Sequence, residues 1–247
     1  TAIQLFIDYW DELGPAAERQ AARRLAKGVS GVILPPPLCE SDAAVQELVK
    51  AKVPVVAIAS GRFSDRISCV RIDEFSAARE ITEHLIAQGH RTIGYIRGRE
   101  DMTASEHRFE GFRAALDAAG IPFDRHLVQP GDYTYRSGLV AAEKLLSRKA
   151  APSAIFASND DMAAAAVSVA HRRGLDVPRD LSVVGFDDSS SATTVWPELT
   201  TVRQPIAAMA DAAVDVLLRS IRNGELGERT IVDEIFGHQL VLRQSVA

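Results

Sequence analysis

Four residues of this 247-residue chain stand where apolar runs end. Arg108 follows the run Thr92–Ile96, Tyr133 follows Leu127–Gln129, Asn159 follows Ala154–Ala157, and Asp187 follows Leu181–Phe186. Their chemistry is complementary. An arginine presents a rigid fork of donors, an aspartate accepts from hydroxyls, and an asparagine does both. An aromatic face packs on the apolar side of a ring. The set suits a polyhydroxylated small molecule. Each member also has a plain structural reading. An arginine in the first turn of a helix is commonly solvated. Tyr133 can cover the edge of a core, Asn159 or Asp160 can cap the helix starting near Met162, and Asp187 can cap the turn after it. Asp188 points to the opposite side of extended chain from Asp187 and reads as structural.

Catalytic signatures do not occur. The sequence has no G-x-S-x-G elbow, no H-E-x-x-H, no glycine-rich dinucleotide or P-loop motif, and no metal-ligand spacing. The six histidines, among them His84 and His90 beside a helix end, fall mostly on helices or helix termini. Neither an enzyme nor a cofactor or metal is expected.

The elements that must hold the four residues alternate. Apolar runs at Ile3–Ile7, Val29–Leu34, Val53–Ala59, Cys69–Ile72, Thr92–Ile96, Leu127–Gln129, Ala154–Ala157 and Leu181–Phe186 read as strands. Helical patterns lie between them: Pro15–Ala26, Ser41–Lys52 with Ser41 as cap, Phe75–Gln88 behind Asp73, His107–Ala119, Tyr135–Ser147 and Met162–Arg173. Ser189–Trp196 reads as a small-residue loop. A long helix, Ile206–Asn223, follows with no strand run of its own before it, and Ile231–Phe236 and Gln239–Leu242 close the chain. Near-continuous apolar strands separated by helices predict an α/β fold with parallel sheets. Four strands before Asp73 and four after it predict two doubly wound lobes joined by several crossovers, with ligand in the crevice between them at the strand C-termini. The expected division is 1–72 plus 204–232 and 73–203 plus 233–247, with Asp73, Gln204 and Asp233 at the crossings.

Composition narrows the partners. Apolar residues make up 47% and charged residues 25%, and the net charge is −5, so charge alone does not hold this chain on a phosphate backbone. Cys39 and Cys69 read as a reduced intracellular pair. No run reaches membrane-spanning length, and the first residues show no basic-then-apolar leader, so the expected location is the cytoplasm.

Longer stretches carry a resemblance. Ser158-Asn159-Asp160-Asp161-Met162-Ala163, Gly174-Leu175-Asp176-Val177-Pro178 through Val183-Val184-Gly185-Phe186-Asp187-Asp188, and Pro197-Glu198-Leu199-Thr200-Thr201-Val202-Arg203-Gln204-Pro205 resemble the effector-binding domain of LacI/GalR-type transcriptional regulators. Gly28 to Leu34, His84 to Arg91, and Ser105 through Arg108 to Phe112 match in order and spacing. The resemblance implies a periplasmic-binding-protein type I fold, a homodimer or tetramer, and a small effector, usually a sugar or nucleoside-like. It also implies operator DNA gripped by a separate N-terminal helix-turn-helix head. By position it makes Arg108 the fork on effector hydroxyls, Asp187 the effector carboxylate, Asn159 the amide and Tyr133 the stacking aromatic. It places Trp196 at the cleft mouth and Gln204 in a crossing segment. The chain departs in two ways. It opens on what resembles the family's second strand, so neither the head nor the first strand–helix unit has a counterpart, and DNA contact is not expected from these residues. Pro35 and Ala59-Ser60-Gly61 also stand where the family often offers polar contacts. A periplasmic solute-binding protein would share the two lobes.

Overall fold

The alternating pattern folds into two separate four-stranded sheets in the computed structural model, which describes residues 3–10, 14–61, 64–225 and 230–247. Contacts divide the chain into two compact units, Thr1–Arg71 with Ala207–Glu234 and Ile72–Ile206 with Ile235–Ala247. The chain therefore changes unit three times.

The first unit begins with α1 (Pro15–Leu25), β1 (Val32–Leu34), α2 (Asp42–Lys50), β2 (Val55–Ile58) and β3 (Ser68–Ile72). Ser41 caps α2 as its sequence position predicts, accepting the backbone N–H of Ala44 at 3.1 Å. Leu34, Val45, Leu48, Val55 and Ile67 pack together in this unit's core.

The second unit continues with α3 (Glu74–Ala87), β4 (Ile93–Ile96), α4 (Thr103–Ala118), β5 (Val128–Gln129), α5 (Tyr135–Leu146), β6 (Ala154–Ala157), α6 (Asp160–Arg172), β7 (Ser182–Val184), α7 (Ser190–Thr194) and β8 (Thr201–Arg203). The first unit is then completed by α8 (Ile206–Glu225) and β9 (Asp233–Phe236), and β10 (Gln239–Val241) closes the second. One sheet has the order β1-β2-β3-β9, and the other β5-β4-β6-β7. The pairs β1–β2, β2–β3, β4–β5, β4–β6 and β6–β7 are all parallel. Parallel strands need helical crossovers, and those helices bury both sheet faces.

Some expectations change. Ile3–Ile7 forms no strand; its residues are irregular and Leu5 is 82% exposed. An apolar run of that length becomes a strand only when a neighbour takes up its ladder, and none of the described residues pairs with it. The run Val29–Leu34 contributes only its last three residues to β1. A strand the apolar pattern did not announce, β8, precedes α8: it pairs antiparallel with β10, and Thr200 and Arg203 bridge to Val184 and Asp187. Its residues, Thr-Val-Arg, are too short and polar to stand out as a run. The small-residue loop after Asp188 contains the five-residue helix α7.

In the second unit an aromatic cluster fills the space under α4. Tyr95 stacks on Phe112 with ring centroids 4.7 Å apart and meets the edge of Phe156 at 5.1 Å. Helices α3 and α4 cross at Gly111, where a Cβ would run into the carbonyl oxygen of Phe75 and come within 3.0 Å of the backbone nitrogen of Arg79. A backbone wall of this kind cannot swing aside as a side-chain tip can. Replacing Gly111 with alanine is therefore expected to lower stability by about 1 to 3 kcal/mol, the usual cost of overpacking. A urea unfolding midpoint equal to wild type would show that the two helices separate freely.

Candidate functional site

The C-terminal edge of the second sheet is organised around Arg108. It stands on the second turn of α4 and is buried to 5% exposure, not solvated as helix-start arginines commonly are. Its Nε donates to Glu74 Oε2 at 2.7 Å and an Nη2 donates to Glu74 Oε1 at 3.3 Å. Its Nη1 donates to the carbonyl oxygen of Ser158 at 2.6 Å and lies 3.7 Å from Asp187 Oδ1. The guanidinium sits 3.7 Å over the centre of the Phe186 ring. Burial works against its charge, but Glu74 and Asp187 outweigh that penalty and hold it protonated. Such a pair survives away from water only because each partner's hydrogen bonds are met.

Glu74 was not singled out from the sequence. It sits in the first turn of α3, directly after the cap Asp73, which accepts from the Ser76 N–H at 3.0 Å. There an acid reads as a helix-dipole residue. Its arginine is 34 positions away, and no local pattern spans that distance.

Asp187 lies in an unusual turn. Its φ is 108° and that of Asp188 is 54°, both in the region that side chains disfavour. Five contacts hold the turn. The Asp187 N–H donates to Val202 O at 2.8 Å. Asp188 receives Arg203 at 2.5 Å and Arg243 at 2.6 Å, so it is structural, as read. The Ser189 N–H donates to Asp160 Oδ2 at 2.7 Å. Gln204 Nε2 donates to Asp187 Oδ1 at 2.7 Å. The carboxyl of Asp187 is about one-third exposed (35%), yet the surrounding atoms strip enough water from it to push its pKa up to about 6, against the pull of Arg108 and Gln204.

The helix cap is Asn159, not Asp160. The Asn159 side chain accepts the Met162 N–H at 3.0 Å and donates to the carbonyl of Tyr133 at 2.9 Å. It ties the Tyr133 loop to α6 and keeps one N–H beyond these bonds. Asp160 turns inward, where it accepts from Thr201 Oγ1 at 2.6 Å as well as from Ser189. Burial pushes its carboxyl up to about 7, outweighing those two bonds. Tyr133 has φ 70° and its ring centre lies 6.0 Å from the Arg108 guanidinium carbon. Arg108, Tyr133, Asn159 and Asp187 are thus brought to one edge. Trp196 differs from them, with 75% of its surface exposed. Of the residues read as crossings, Asp73 and Gln204 belong to the second unit. Asp233, in the first, takes both arms of Arg71 at 2.9 and 2.8 Å. Among the described residues no group of three or more His, Cys, Asp or Glu could hold a metal ion, and no helix is long and apolar enough to cross a membrane.

Residues 82–246 match the family described as periplasmic binding protein-like domain. A solved structure, the transcriptional regulator CelR–cellobiose complex, superposes with a TM-score of 0.85 at 37% identity, over 93% of this chain and 70% of that one. This chain is a periplasmic binding protein-like domain of the LacI family. Catabolite control protein A of Priestia megaterium is 38% identical over 81% of this LacI-family chain and 60% of its own length. The HTH-type transcriptional regulator CelR of Thermobifida fusca is 39% identical over 85% of the chain and 62% of its own. The chain spans about three-fifths of the length of these curated relatives.

The raised carboxyls of this LacI-family domain carry a pH signature. Asp160 and Asp187 keep their protons in the folded state at pH values where the unfolded chain, with ordinary aspartate pKa of about 4, has lost them. Their contribution to stability is present below about pH 4 and falls away as pH rises towards 7. Asp160→Asn should flatten the decline in unfolding free energy between those limits. Parallel curves for variant and wild type would show that Asp160 ionises normally.

Proposed function

We propose that this chain is the effector-sensing, dimerising part of a LacI-type transcriptional regulator, and that its effector is a small polyhydroxylated molecule, a sugar. One observation carries the reading: a buried arginine, a half-buried aspartate and a buried glutamine oxygen share the C-terminal edge of one parallel sheet. Gln204 Oε1 is buried without a hydrogen-bond partner among the described residues. Arg108 keeps N–H donors beyond those it spends on Glu74 and Ser158. Donors and acceptors a few ångströms apart suit a molecule whose hydroxyls do both. The cellobiose complex of the CelR neighbour supports the choice of a sugar.

Arg108 and Asp187 contact the effector, with Asn159 and Tyr133 shaping the same edge and Trp196 offering an exposed ring to a bound molecule. Asp73, Gln204 and Asp233 lie near the crossings between the lobes and carry the movement. The protein works in the cytoplasm without catalysing turnover, as the regulator relatives suggest. The resemblance assigns operator contact to a helix-turn-helix head, not to these residues. Binding shifts the population of conformers and so the geometry presented to DNA.

A sugar panel screened by thermal stability should reveal a ligand that raises the unfolding temperature. Against that sugar, Asp187→Ala should lose about 1 to 3 kcal/mol of affinity, the cost of leaving polar groups unpaired. Calorimetry showing wild-type affinity in a folded Asp187→Ala variant would remove this residue from the site. Failure of every sugar to alter operator affinity of the full-length regulator would refute the sensor reading.

A further inference from the structure

We propose that Glu74 sets the charge class of the ligand: the site accepts a neutral hydroxylated molecule and rejects one carrying phosphate or carboxylate. The inference rests on the reading of the Arg108 edge as the effector site.

The argument begins with how the arginine's charge is spent. An arginine in a ligand site is ordinarily a natural clamp for an anion. Here three of the fork's five N–H groups are already committed. Glu74 takes Nε and an Nη2 in a bidentate pair, and their side chains are only 7% and 3% exposed. Ser158 takes an N–H of Nη1. Of the five N–H groups of a guanidinium three are therefore committed, leaving two that face a neighbourhood whose net charge is not positive. The next charged group is a second carboxylate, Asp187, 3.7 Å from Nη1. Asp161 adds to this: it acts on Asp187 in the same sense as Glu74, disfavouring further negative charge.

Nearby cations do not redress the balance. Arg97 pairs with Glu106, and Arg99 with Asp101 at 2.6 Å. Arg203 and Arg243 both close on Asp188. The groups left over are mostly acceptors. Gln204 Oε1 is buried and unpartnered among the described residues, and Asp187 offers its second oxygen. A ligand hydroxyl donates to these and accepts from the remaining arginine N–H. A phosphate or carboxylate group brings further acceptors and negative charge into a half-buried place that already holds two carboxylates against one guanidinium. Poorly screened like charges repel strongly there.

Calorimetric titration of the chain with cellobiose and cellobiose 6′-phosphate, with glucose and glucose 6-phosphate, and with inorganic phosphate alone tests this. In wild type the neutral sugar of a pair that binds should do so at least about tenfold more tightly than its phosphate ester, and inorganic phosphate should give no heat. Glu74→Gln keeps the shape but frees the arginine's charge. It should narrow the gap by about tenfold and give inorganic phosphate a measurable affinity. An ester binding wild type as tightly as its parent sugar overturns the inference, as does a Glu74→Gln variant with an unchanged gap. If that variant fails to fold, the wild-type comparison of sugar, ester and phosphate decides alone. Should no sugar bind, the sugar reading falls. The charge inference then stands if phosphate binds only the Glu74→Gln variant, and it falls if phosphate binds wild type or neither protein.

Discussion

A buried ion pair between two helices is the constraint on which the second unit's edge depends. Arg108 on α4 and Glu74 on α3 meet away from water, over the ring of Phe186. Taking two charges out of solvent is costly, and the cost is recovered only where geometry is good and remaining hydrogen-bond groups are satisfied. The structure meets both demands. The carboxylate takes two N–H groups, Ser158 takes another, and the helices come close enough because Gly111 has no side chain at their crossing. The same arginine that appears available to a ligand is thus first a structural element.

The turn after β7 is a second constraint, and it depends on long-range partners. Two successive aspartates adopt left-handed backbone angles. Such residues cost of order 1–3 kcal/mol each and persist only where the surroundings over-determine them. β8, Asp160, Arg203 and Arg243 supply that determination. The result holds Asp187 beside Arg108 and Gln204, with a carboxyl less acidic than usual. Rigid support beneath partly exposed polar groups is what a selective binding edge requires.

Much of this was legible in one dimension. Periodicity located the helices and most of the strands, because burial on one face or both leaves a regular trace. Position at strand ends picked out Arg108, Tyr133, Asn159 and Asp187. Local chemistry foresaw the caps Ser41 and Asp73, since a cap and its target are three residues apart. It failed where partners are distant. Ile3–Ile7 looked like a strand and has no ladder; Thr201–Arg203 did not, and is held in one by β10. Glu74 passed for an ordinary helix-start acid. Local chemistry does not separate Asn159 from Asp160 as the cap of α6, because the two neighbouring residues are chemically alike as caps.

The sequence by itself determined the alternation of helix and strand, the family, and the residue types along one sheet edge, because these follow from local spacing and order. The tertiary structure alone decided what those side chains are bonded to. It spent two of Arg108's five N–H groups on Glu74, turned Asp160 inward, and gave Asn159 to the cap of α6. The physical reason is that charge and hydrogen bonding act through space. A carboxylate 34 residues away in the chain lies 2.7 Å from the guanidinium and sets its electrostatic surroundings, whereas a neighbour in sequence can point the other way.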